Sequence, residues 1–112
     1  MPKPETRAYS SYSRDALKLL AQMIRRARIE RKLTTQEMAD RAGISRGLVQ
    51  RIERGDPGCA IGAVFETAAI VGVRLFDADQ PTMALHLSAN NATLALLPKS
   101  VRLSGGKVKD DF

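Results

Sequence analysis

Residues 34–55, TTQEMADRAGISRGLVQRIERG, carry two helix-start signals with a glycine between them, and no other stretch restricts the fold as much. Thr34 can accept from a backbone N–H three residues on while Glu37 reaches back to it, the reciprocal capping pattern of a helix N-terminus. Gly43 then supplies the left-handed residue that ends a helix, and Ser45 caps a second one almost at once. Two helices of about two turns each, with only a tight turn between them, must cross sharply. The second places Val49 and Ile52 toward a core at i, i+3, and leaves Arg46, Gly47, Gln50 and Arg51 on the other side. A merely solvated face would mix in acids and strong helix formers. This one is arginine and glutamine, with a glycine near its start.

A crossing of this kind needs a small residue where the helices touch, a turn residue after the first, and apolar residues behind the second. Ala39, Gly43, Val49 and Ile52 meet those demands, and Met38, Ala42 and Ile44 complete the core side, so the segment reads as a helix-turn-helix. Before it, the spacing of Leu17, Leu20, Ile24 and Ala27 predicts a helix over 14–32. After it, Gly55-Asp56-Pro57-Gly58 is a turn, and Ile61, Val64, Phe65, Ala68 and Val71 form the stripe of a fourth helix ended by Gly72. Val73, Leu75 and Phe76 read as a short cap on the core. Residues 79–97 fit two periods. Met83, Leu87, Leu94 and Leu97 share a helical face that also takes Asn90, whereas alternating leucines around Asn90-Asn91 suit a β-hairpin. Alanine content and the start Asp79-Gln80-Pro81 favour helix. The expected organisation is an N-terminal arm (1–13), a helical domain (14–78), a self-association segment (79–97) and a disordered tail (98–112).

Composition agrees with an all-α class: no Trp, two Tyr and three Phe leave Leu, Ile, Val, Ala and Met to fill one modest core. The formal net charge is +6, and it is unevenly spread. Seven basic residues lie between Arg14 and Lys32 against Asp15 and Glu30, while the stretch from Asp56 to Leu97 has four acids against Arg74 alone. A basic end favours nucleic acid or another acidic partner, and Arg25 and Arg26 are candidate phosphate contacts. One cysteine, Cys59, excludes an internal disulfide framework; with no long apolar run and no apolar signal core, the expectation is a cytoplasmic protein without a membrane partner. His86 is the single histidine, so a multi-histidine metal site is excluded. No serine, carboxylate pair or glycine loop has catalytic spacing, so neither an enzyme nor a cofactor is expected.

The words LTTQEMADRAGISRGLVQRIERG, preceded by IRRARIERK and followed by IGAVFETAAIVGV, resemble the Cro/CI-type (XRE) family of DNA-binding regulators. The resemblance covers about Leu17 to Phe76. It implies a five-helix, lambda-repressor-like DNA-binding domain that reads palindromic operator DNA as a homodimer. Further words, YSRDALKLL, GDPG, GVRLFDAD, LALLPKSVR and the ending DDF, are similar to HipB-like antitoxins, which neutralise HipA-type kinase toxins and repress their own operon. A stand-alone phage-repressor-type regulator without a toxin is the alternative.

The resemblance assigns the first turns of the third helix to the major groove. There Arg46 suits a guanine edge, Gln50 an adenine edge, and Leu48 a thymine methyl. Thr35, Gln36, Ser45, Arg51 and Arg54 complete the candidate DNA contacts. Gly47 either admits the DNA backbone closely or gives up a contact. In the family a glutamine usually opens the second helix, contacting phosphate and bracing the third. Here Thr35 stands there, with Gln36 displaced by one. Arg28 and Glu53 match family positions that form a buried ion pair between helices one and three. The dimer would be made by Met83, Leu87, Leu94 and Leu97, unless the segment folds back over its own domain.

Overall fold

The computed structural model describes residues 9–101, and among them the backbone forms five α-helices and no strand. They are α1 (Ser11–Glu30), α2 (Thr35–Ala42), α3 (Arg46–Glu53), α4 (Ile61–Ile70) and α5 (Gln80–Leu96), with one 3₁₀ turn at Leu75–Asp77. The hairpin alternative for 79–97 is thereby removed: the helix runs unbroken through Asn90 and Asn91. No helix among the described residues is long and apolar enough to cross a membrane.

Capping chemistry sets the element boundaries. Ser10 Oγ accepts from the Ser13 N–H at 3.2 Å, so α1 begins at Ser11 and takes in the last residues that the sequence reading gave to the arm. The rest of the arm, 1–8, lies outside the described residues. α1 ends at Glu30 rather than Lys32, because Lys32 turns left-handed (φ 59) and its N–H closes back on the Ile29 carbonyl at 2.9 Å. At α2 both halves of the capping box are present: Thr34 Oγ1 accepts from the Glu37 N–H at 3.0 Å, and Glu37 Oε1 from the Thr34 N–H at 2.8 Å. Gly43 ends α2 at φ 70, a conformation that costs a Cβ-bearing residue roughly 1–2 kcal/mol. Ser45 then caps α3 through the Leu48 N–H at 3.0 Å.

The core is built from one or two residues of each helix from α1 to α4. Ile24 of α1, Met38 and Ala39 of α2, Val49 and Ile52 of α3, Ala68 of α4 and the following Val71 are all buried. Each large member is worth about 1.5–3 kcal/mol of burial. α2 packs on α3 and α4, and α1 on α3. Thr67 is fully buried within α4, and its hydroxyl donates to the Val64 carbonyl at 2.8 Å, so no polar group is stranded there.

Ile61 and Phe76, both of the expected apolar set, are exposed instead. Ile61, in the first turn of α4, is 69% exposed. Phe76 is 75% exposed because its backbone, like that of Asp77, sits at positive φ and turns the side chain outward. Its ring forms a T-shaped pair with that of Phe65, with centroids 6.3 Å apart. Val73 and Leu75 do pack on the core.

The chain divides into two units, one ending at Asp77 and the other starting at Ala78. In the second, Asp79 caps α5 by accepting from the Thr82 N–H at 2.9 Å, and Pro81 occupies its first turn. No residue of α5 is buried. Residues 80–97 contain no Asp, Glu, Lys or Arg. One face carries Met83, Leu87, Asn90, Leu94 and, at the C-cap, Leu97; the opposite face carries Leu85, Ala89, Ala92 and Leu96. The residues from 98 to 101 form no regular element, and the remainder of the expected tail lies outside the described residues.

Candidate nucleic-acid interface

α3 is fixed from behind and bare in front. Val49 and Ile52 anchor it in the core, half-buried Leu48 packs on the same side, and Ser45 fixes its first turn. The exposed side is a ridge of Arg46, Gln50 and Arg54 at i, i+4, i+8, with Gly47 and Arg51 beside it. Among the described residues Arg46 has no acidic partner, so its planar five-donor fork is available to an outside acceptor. A Cβ added at Gly47 would meet nothing nearer than Ser45 Oγ at 3.9 Å. The protein's own packing therefore does not call for glycine at this position.

Arg28 and Glu53 tie α3 to α1. Arg28 Nε and Nη2 donate to the two Glu53 oxygens at 2.8 and 3.0 Å, and Arg28 Nη1 donates to the Leu33 carbonyl at 2.8 Å. The side chains are only 12% and 6% exposed, and the bond to Glu53 raises the Arg28 guanidinium further above neutrality. The pair ties α3 to α1 and holds both charges largely out of solvent.

Around it the candidate residues separate. Thr35, half-buried at the start of α2, lines an open crevice of about 560 Å³ together with Arg25, Arg28, Gln50, Glu53 and Arg54. Thr35 and Gln50, far apart in sequence, are thus neighbours at one opening. Gln36 does not line it; its amide donates to Asp40 at 2.9 Å along α2. Arg51 is turned toward the following loop, where Nε donates to Asp56 Oδ2 at 2.9 Å. That guanidinium, and then the Gly58 N–H, hold the Asp56 carboxyl below the usual carboxylate range. Arg51 therefore stabilises the turn after α3 through Nε. Arg26 is likewise engaged, with Glu30 at 3.0 Å, whereas Arg25 has no acidic partner among the described residues.

Spacing along the chain does not reveal that Arg25 shares an opening with Gln50, because the α1–α3 crossing creates it. The signal available in the sequence was weaker: Lys18, Gln22, Arg25 and Arg26 recur at helical spacing on one side of α1. Cys59 packs half-buried against the core, and burial pushes its thiol up. No group of three His, Cys, Asp or Glu side chains able to hold a metal ion occurs among the described residues.

A family model described as a helix-turn-helix domain matches residues 19–79, just over half of the chain, from the third turn of α1 to the cap of α5. No curated protein and no solved structure matches.

Proposed function

The chain belongs to the helix-turn-helix domain family, and on that premise we propose that it is a sequence-specific repressor that reads a palindromic operator as a homodimer. The outward ridge Arg46–Gln50–Arg54 carries this reading: it is basic and polar, without an acid, on a helix locked from behind by core, cap and ion pair. Arg46 takes a guanine O6/N7 edge and Gln50 an adenine N6/N7 edge. Leu48 touches a thymine methyl at the border of the buried side. Thr35, Gln36, Ser45, Arg51 and Arg54 supply phosphate and bracing contacts around them.

The test is binding to duplexes selected by the protein from a random-sequence pool. Arg46→Ala or Gln50→Ala should each cost ~1–3 kcal/mol and relax preference at one base pair per half-site. Unchanged affinity and preference in both variants would overturn the assignment of α3 as the reading helix.

The finer reading is that the repressor is also the antitoxin of a HipA-type kinase and controls the operon that encodes both. The likeness of YSRDALKLL, GDPG, GVRLFDAD and LALLPKSVR to HipB-like antitoxins supports it. Co-expression with a kinase-like product encoded beside this chain should yield a stable complex that no longer arrests growth. A protein that represses its promoter with no such neighbour is the stand-alone regulator instead.

A further inference from the structure

The crevice holding Thr35 and Gln50 does not end at α3. It shares Arg25, Glu53 and Arg54 with a larger groove of about 690 Å³, also lined by Lys18, Gln22 and Arg26. That groove shares Lys18 and Arg54 with a third, of about 410 Å³, which reaches Arg14 and Tyr9. Arg54 lines all three, so they adjoin one another as an open channel-like surface from the reading helix along the flank of α1.

The charges along this channel are directional. Arg14, Lys18 and Arg25, spaced 4 and 7, fall on a single stripe of α1, whereas the exposed Leu19 and Met23 lie on the far side of the helix. The two acids lining the channel are already neutralised, Glu30 by Arg26 and Glu53 by Arg28. Lys18 and Arg25 have no acidic partner among the described residues. From Arg14 to Arg25 the helix rises roughly 16 Å at 1.5 Å per residue. A small anion would be held by cations converging on one point; these are strung along a line. A DNA strand presents a phosphate about every 3.4 Å of duplex axis, so a line of this length matches a run of successive backbone charges.

We propose that the α1 channel is a second phosphate-binding site, in which Arg25, Lys18 and Arg14, with Arg54 at its entrance, hold the DNA backbone beyond the base pairs read by α3. The site rests on the DNA-binding reading above and deepens it. It extends the footprint without adding base specificity, because a lysine or arginine on a phosphate carries no sequence information.

The experiment measures affinity against salt concentration for a random-sequence duplex of roughly three turns, about 30 base pairs, with the full chain and with Lys18→Gln/Arg25→Gln. Both side chains are exposed, and an unchanged melting temperature verifies the fold. Each phosphate contact contributes about 0.9 to the slope of log K against log salt, so the double variant should lose close to 2 in slope. On a duplex selected by the full chain, the variant should bind more weakly with the same order of base preferences, while Arg46→Ala alters that order. An unchanged slope in the double variant, with Arg46→Ala still altering preference, overturns the channel and leaves α3 as the reading helix. If the full chain binds no duplex, the DNA-binding reading itself fails.

Discussion

At Gly47 the protein and its proposed ligand make opposite demands. The residue lies in the first turn of α3, exposed, with open space where a side chain would stand. Alanine is the better helix former by up to about 1 kcal/mol in a helix interior, less near an end. Gly47→Ala should therefore raise the melting temperature slightly while weakening DNA binding, because in the proposed binding mode the added methyl would stand on the side of α3 nearest the backbone. Thermal unfolding and a binding titration on one preparation check both signs. A variant that is more stable and binds equally well would mean that the glycine only gives up a contact. The period of the sequence shows which residues of α3 point outward, since Val49 and Ile52 fix the inward side. It does not show that Arg51 is held by Asp56, which depends on how the Gly55–Gly58 turn closes.

Between elements the decisive contact is the Arg28–Glu53 pair, which links α1 to α3 across 25 positions of sequence. No local spacing exposes such a contact; it enters the sequence reading only through resemblance. Removing one partner leaves the other charge nearly buried and unpaired, which should cost about 3–5 kcal/mol, whereas replacing both by apolar residues of similar volume should cost far less. A double-mutant cycle in urea unfolding measures the coupling, and a coupling near zero would refute it. The caps were legible because they are local: Thr34, Glu37, Gly43 and Ser45 act within three or four residues of themselves. α5 was half legible. Leu85, Leu87, Leu94 and Leu96 satisfy a period of two, while Met83, Leu87, Asn90, Leu94 and Leu97 satisfy the helical one, so periodicity cannot arbitrate. The cap at Asp79 and Pro81 in the first turn decide for helix. The exposure of Phe76 was not legible, because a hydropathy pattern carries no information about a positive φ.

For the whole molecule, the open requirement is what covers α5. A helix with apolar residues on two opposite faces and no Asp, Glu, Lys or Arg draws its stability from packing those faces rather than from water. Its leucines are between 52% and 87% exposed, and an exposed apolar face ordinarily marks an interface. The face Met83–Leu87–Asn90–Leu94–Leu97 is spaced 4, 3, 4 and 3, the seam of a two-helix coiled coil, and a polar residue inside such a seam fixes register. A second copy suits it: the chain carries a net +6, yet this helix alone can meet its own copy without like charges opposing. Two-fold pairing is also what operator reading demands, since one recognition helix covers few base pairs and two set about 34 Å apart read successive major grooves. Ending the chain after Ala78 keeps every residue of the buried cluster from Ile24 to Val71. The shortened protein should unfold cooperatively, scatter light as a monomer and bind the selected palindrome far more weakly, while retaining most of its affinity for a single half-site. Should it keep its fold and still scatter as a dimer at micromolar concentration, the dimer is made elsewhere and α5 covers a different surface.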